Sequence, residues 1–96
     1  MIPVRWTEQA VRNLEDIKSF ISKDSPAYAL AVVGRLYRAA GQLEHFPDSG
    51  RVVPERGNPT IRELARPPYR IVYRRSPDLI EILLVFRSSL PLPEIE

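Results

Sequence analysis

The chain has 96 residues, 14 basic and 12 acidic side chains, a net charge of +2 and 44% hydrophobic residues, which bounds it to one globular α+β-sized domain over residues 1–96, able to bury about 60–65% of its unfolded surface. Cysteine is absent and His45 is the only histidine, so disulfides, thiolate chemistry and a His/Cys zinc site are excluded, and no metal or cofactor is expected. The opening MIPVRWTEQ lacks a basic-then-apolar leader and the longest apolar run is the seven residues Ala27–Val33, so a cytoplasmic protein with no membrane association is expected.

Ile2, Val4 and Trp6 alternate with Pro3 and Arg5, predicting a short N-terminal strand with Trp6 in the core. Thr7 then stands where a helix N-cap belongs, with Glu8 in the first turn. Ala10, Leu14, Ile17 and Ile21 recur at helical spacing, Val11 and Phe20 widen the stripe, and Asn13 and its charged neighbours are expected to point outward. Lys23-Asp24-Ser25-Pro26 ends this helix, and Ser25 caps the next with Pro26 at its first position. The second helix carries Leu30, Val33, Leu36/Tyr37, Ala40 and Leu43 on its apolar stripe, running to Phe46. Ala27, Ala31, Gly34 and Gly41 form a stripe of small residues, read as allowing close helix approach. His45 reads as a residue of the helix end rather than a catalytic one.

After the breaker cluster Pro47-Asp48-Ser49-Gly50, β-type residues take over, and three strands fit: Ile61–Ala65, Tyr69–Arg74 and Leu79–Arg87. Tyr69, Ile71 and Tyr73 share the face expected to meet the helices. Matching apolar faces places Tyr73 beside Ile80 and leaves the loop Arg75-Ser76-Pro77-Asp78. In that register Arg70 faces Leu83 with Glu81 diagonal to it, and Arg70, Arg74 and Arg87 all project from the side away from the helices. The first of the three strands is the awkward one, because Ile61 and Leu64 cannot both face one core in a straight strand.

Charge is concentrated in this second half. Between positions 51 and 75 seven arginines stand against Glu55 and Glu63, whereas the first fifty residues carry six basic and six acidic side chains. Such a surplus implies an anionic partner: nucleic acid, a phosphorylated substrate or an acidic protein segment. Arg62 reads as a clamp on a carboxylate or a helix end ahead of a target contact. Arg70 reads equally as the partner of Glu81 and as a binding residue. Arg74, Arg75 and Arg87 have no acid nearby in this register and read as binding residues, while Leu83 and Val85 beside them form an exposed apolar patch of the kind that marks an interaction site.

The order strand, helix hairpin, three-stranded antiparallel meander with helices on one sheet face, filled with VRWTEQAVRNLEDIKSFI, FPDSGRVVPE, IRELARPPYRIVYR and IEILLVFR, resembles the ParE/RelE superfamily of type II toxins over Val4 to about Leu90. The resemblance implies a bacterial or archaeal growth-arresting protein neutralised by a cognate antitoxin, with which it forms a hetero-oligomer and whose C-terminal segment folds across it. RelE-like members cut messenger RNA in the ribosomal A site; ParE-like members poison DNA gyrase and are not known to need a catalytic residue.

Metal-free RNA cleavage requires a group to take the 2′-hydroxyl proton, one to stabilise the charged transition state and one to protonate the leaving oxygen. RelE-like toxins pair a basic cluster with a lysine, histidine or tyrosine near the end of the last strand. Here Arg87 stands where the histidine is frequent, Ser89-Leu90 where an arginine commonly follows, and the tail Pro91–Glu96 has no tyrosine. The only lysines, Lys18 and Lys23, lie in the first helix, and arginine is a poor general base. The resemblance therefore points to the ParE-like branch with no catalytic residue, gyrase as target, and the ribosome-dependent endoribonuclease as the alternative. A stand-alone nucleic-acid binder is a third reading, but the sequence lacks an interleaved aromatic platform. The antitoxin is expected to dock on Leu83 and Val85 with Arg70, Arg74 and Arg87 around them.

Overall fold

The computed structural model describes residues 1–95 and contains β1 (Val4–Trp6), α1 (Glu8–Ser22), α2 (Pro26–Gly41), a 3-10 turn at Gln42–Glu44, β2 (Arg51–Val52), β3 (Ile61–Arg66), β4 (Tyr69–Arg75) and β5 (Ile80–Arg87). The strands form one sheet in the order β1-β5-β4-β3-β2, with β1 parallel to β5 and every other pair antiparallel. The expected strand, helix hairpin and meander are all present, and the two-residue β2 is an addition that lengthens the sheet at its far edge.

Local chemistry starts both helices as the sequence predicts. The Thr7 hydroxyl accepts from the Ala10 N–H at 3.2 Å and donates to the Ile82 carbonyl at 2.7 Å, so the cap of α1 is also its anchor to β5. Ser25 accepts from Tyr28 N–H at 3.1 Å, with Pro26 at the first helical position. Asn13 does not point outward: β1 ends opposite Ile82, and beyond it the Val85 N–H, which has no strand on that side, donates to Asn13 Oδ1 at 3.0 Å.

Both faces of the sheet are covered. The helices pack on one face, where Val32, Leu36 and Leu43 meet Leu64, Tyr69, Ile71, Tyr73, Ile80, Ile82 and Val85. On the other face Val53, Ile61, Val72, Leu83, Leu84 and Phe86 form a second cluster, roofed by Leu92 and Ile95 of the C-terminal tail. This resolves the awkward strand: Leu64 faces the helices and Ile61 the tail side.

The helix faces match expectation in part. Ala10 is buried with Leu14, Ile17 and Ile21 packed against the core, and Leu36, Ala40 and Leu43 are buried. Val11, Phe20, Leu30, Tyr37 and Phe46, however, are exposed, and Ala29, Val32 and Ala39 are buried in their place. Ala27 and Ala31 face solvent, a Cβ on Gly41 would meet nothing within 4 Å, and one on Gly34 would meet only the Arg38 side chain of its own helix. The small-residue stripe is therefore not a helix contact. Trp6 is half-buried at the rim of the core, stacked on Tyr37 with ring centroids 5.7 Å apart.

The β4–β5 register also departs from the predicted one. Arg75 pairs with Ile80 and Tyr73 with Ile82, so the turn is Ser76–Leu79, closed by Ser76 N–H to Leu79 C=O at 2.9 Å. A bulge then intervenes between Val72 and Tyr73: Val72 pairs with Leu84, leaving Leu83 as the extra residue. Every side chain of β5 beyond the bulge changes face, and this decides where Val85 and Arg87 lie.

Candidate functional site

The sheet face away from the helices carries a closed charged network around a carboxylate that sequence reasoning passed over. Glu63, on β3 between Ile61 and Ala65, has a fully buried side chain. Arg51 Nε of β2 donates to its Oε2 at 2.6 Å and Arg70 Nε of β4 to its Oε1 at 2.7 Å. Arg70 also donates through both Nη atoms to the two oxygens of Glu55, each at 2.9 Å, and lies over the Phe86 ring at 5.0 Å. The hydrogen bond from Arg70 holds the Glu55 carboxyl down at about 2, and the same pair pushes the Arg70 guanidinium up from its ordinary value. The partners of Arg70 are therefore Glu63 and Glu55, not the Glu81 that the predicted register set diagonal to it.

The strand junction beside this network is tight. Tyr73 passes through the helix-side core and its hydroxyl donates to Pro47 C=O at 2.9 Å and accepts from Gly50 N–H at 3.1 Å. Burial raises its pKa. A Cβ on Gly50 would stand 2.5 Å from the Glu63 carbonyl oxygen and 2.7 Å from the tyrosine ring, so only glycine lets the chain approach β3 here. Arg62 donates to Gly50 C=O at 3.0 Å and stands 3.8 Å from Asp48, an internal clamp.

The other predicted site residues are dispersed. Arg74 remains on the tail side, 3.9 Å from Glu81, which also pairs with Arg5. Arg75 is bound to Asp48 at 3.0 Å. Neither is without an acid, because the true register brings Glu81 opposite Arg74 and the Pro47–Gly50 turn brings Asp48 to Arg75. Leu83 and Val85 are 8% and 2% exposed: the bulge sends Val85 into the helix-side core and Leu83 beneath the tail, so the expected apolar patch is not on the surface. Arg87, beyond the bulge, pairs with Tyr69 and sits on the helix side, 6.0 Å from that ring, away from Arg70 and Arg74.

Arg87 instead lines a groove of about 410 Å³ between the tip of the helix hairpin and the β3–β4 turn, together with Arg35 of α2 and Arg66 at the end of β3. Among the described residues none of these three arginines forms an ion pair. A groove of about 470 Å³ at the β1–α1 junction is charge-balanced by comparison, with Arg5 and Arg12 against Glu8 and Glu94. The three-arginine groove left no mark in the sequence, since its members lie far apart along the chain and Arg87 reaches that face only through the bulge. No helix is long and apolar enough to cross a membrane, and no group of three or more His, Asp or Glu among the described residues is placed to hold a metal ion.

Comparison with known proteins gives concordant matches over nearly the whole chain. The profile of the family described as the ParE toxin of type II toxin-antitoxin system, parDE, matches residues 4–89. "Putative toxin Y4kP" of Sinorhizobium fredii is 43% identical over 94 residues, covering 96% of this chain and 94% of its own. Toxin RelE2 of Caulobacter vibrioides is 35% identical over 90 residues, covering 93% and 98%. Among solved structures, the chromosomal ParDE TA system from P. aeruginosa contains a chain with a TM-score of 0.73 and 26% identity, covering 91% of this chain and 96% of that one.

Proposed function

We propose, starting from a chain that belongs to the ParE toxin family of type II toxin-antitoxin systems, that this toxin arrests growth by binding and poisoning DNA gyrase rather than by cutting RNA. Family membership brings an antitoxin protein as partner; the target is the step proposed.

The observation that carries the reading is the engagement of Arg70. A metal-free ribonuclease needs charged groups aimed at the scissile phosphate and a base able to take a proton near neutral pH. On this sheet face the guanidinium of Arg70 is held by two carboxylates. Both carboxylates accept from arginine, and Glu55, with its pKa drawn down to about 2, is a weak base. Lys18 lies on α1, Lys23 at its C-cap and His45 beyond α2. A binding mechanism needs none of these groups to be available for chemistry.

The test adds purified toxin to gyrase with supercoiled DNA and, separately, to translating ribosomes. Gyrase-dependent DNA breaks with intact messenger RNA are expected. Codon-phased cutting of A-site RNA with gyrase unaffected would overturn the reading and align this chain's activity with the name of its relative RelE2.

A further inference from the structure

We infer that the groove bounded by Arg35, Arg66 and Arg87 is a binding site for a small anionic ligand, a free nucleoside di- or triphosphate, whose base lies on the apolar floor and whose phosphates meet the three guanidiniums. The inference goes beyond the toxin reading and does not depend on which target the toxin strikes.

Three observations select the site. The first is the sorting of arginines. Arg5, Arg51, Arg62, Arg70, Arg74 and Arg75 each face a carboxylate, so the fold itself meets much of their charge. Arg35 of α2, Arg66 at the end of β3 and Arg87 at the end of β5 have no such partner among the described residues, yet all three are exposed and converge on one groove. The second is the composition of the wall. Val32, Leu36 and Tyr69 on the floor belong to the buried core, and Tyr28 at the edge is 57% exposed. An aromatic ring open to solvent beside an apolar floor is a surface on which a flat heterocyclic base stacks. The third is size: about 410 Å³ falls among the pockets of about 300–1,000 Å³ that hold single small molecules.

Together they define the occupant. Guanidiniums grip phosphate oxygens through paired hydrogen bonds and stay charged throughout the physiological pH range. Three of them around one groove, with no acidic residue lining it, match an anion that carries several charges on adjacent groups. A polyphosphate chain has that form; a single carboxylate does not. A nucleic-acid strand spreads its charge one phosphate per nucleotide, and its successive bases would find one exposed ring here instead of a row of them. The lack of a carboxylate also sets the ionic form of the ligand. With no acid in the wall to take a magnesium ion, the arginines bind the metal-free polyphosphate, and magnesium competes with them for the same oxygens.

Calorimetric titration of the full-length toxin with ATP at low salt, with and without excess magnesium, tests the site, alongside AMP, inorganic triphosphate and a single-stranded oligonucleotide. ATP should bind about tenfold more tightly than AMP and several-fold more tightly than inorganic triphosphate, and both salt and magnesium should weaken it. Arg35→Gln, Arg66→Gln and Arg87→Gln should each weaken ATP about tenfold. Arg38→Gln and Arg56→Gln, at arginines that also lack an acid among the described residues but lie outside the groove, should stay within about twofold of wild type. Tyr28→Ala should lower ATP to the affinity of inorganic triphosphate while leaving inorganic triphosphate unchanged, a split that loss of folding would not produce. All six side chains are exposed, so the variants are expected to keep the wild-type thermal midpoint. No binding with ATP at about 1 mM, ATP affinity unchanged in the groove variants, or inorganic triphosphate binding as tightly as ATP would each overturn the nucleotide site. An oligonucleotide that binds more tightly than ATP and weakens in the same variants would overturn it too, and reassign the groove to nucleic acid.

Discussion

Replacing Glu63 with glutamine isolates the worth of the buried network. The Glu63 side chain is fully buried, with Arg51 Nε 2.6 Å from one oxygen and Arg70 Nε 2.7 Å from the other. Breaking a buried ion pair from one side costs about 3–5 kcal/mol when the surviving charge has nowhere to go. Here both survivors have an outlet. Arg51 is 67% exposed and turns to water, so its share is about 0–1 kcal/mol. Arg70, only 12% exposed, retains Glu55 and loses one charged hydrogen bond of about 1.5–3 kcal/mol, while the new amide group faces a guanidinium with a donor. The expected loss is therefore about 2–3 kcal/mol, which in a domain of this size lowers the thermal midpoint by roughly 10–20 °C. Urea unfolding read by tryptophan fluorescence checks it, with an unchanged m-value showing that the same surface is exposed. Glu63→Gln within about 0.5 kcal/mol of wild type would refute the claim that this carboxylate holds β2, β3 and β4 together.

Gly50→Ala is expected to cost about 3 kcal/mol or more, because the added methyl meets backbone at 2.5 Å instead of a movable side chain; unfolding midpoints measure it. Tyr73→Phe removes the hydroxyl that joins Pro47 C=O to Gly50 N–H and should cost about 1–3 kcal/mol, with amide exchange at Gly50 accelerated. Glu55 has a folded pKa of about 2 against an ordinary 4.5, so its contribution is present above pH 4.5 and disappears as pH falls towards 2. Glu55→Gln should accordingly flatten the stability profile between about pH 5 and pH 2, and a profile of unchanged slope would show that the Arg70 pairing does not hold in solution.

What the sequence revealed was what local chemistry decides. Thr7, Ser25 and Pro26 mark helix starts through hydrogen bonds to their own next turn, and Tyr69, Ile71 and Tyr73 alternate without interruption, so their face is readable. The rest depends on partners distant in the chain. The bulge at Leu83 leaves no mark within LLVF, where every residue is apolar and either face accepts it, yet it moves Val85 and Arg87 to the opposite side of the sheet. The tail was equally opaque: Leu92 and Ile95 sit among prolines with no period, although they make the second face of the sheet a core. Glu63 did carry a signal, as a lone carboxylate in phase with Ile61 on a strand flanked by arginines, since an acid on a buried face must find cations.

The charge surplus between positions 51 and 75 illustrates how a linear count misleads about a surface. Of its seven arginines, Arg51 and Arg70 meet Glu63 and Glu55 from within the stretch, while Arg62, Arg74 and Arg75 meet Asp48 and Glu81 from outside it. Only Arg56 and Arg66 remain without an acid among the described residues. A partner approaching the sheet therefore encounters a largely neutralised face where the sequence is most basic, and three arginines without an acid among the described residues gather at the helix-side groove, Arg66 with two from outside the stretch, Arg35 and Arg87. Charge reversal at Arg51, Arg62, Arg70, Arg74 or Arg75 should thus act mainly on folding, and charge reversal around the groove mainly on association, because an arginine answered inside the fold has its effect there and one left unanswered has it on the partner.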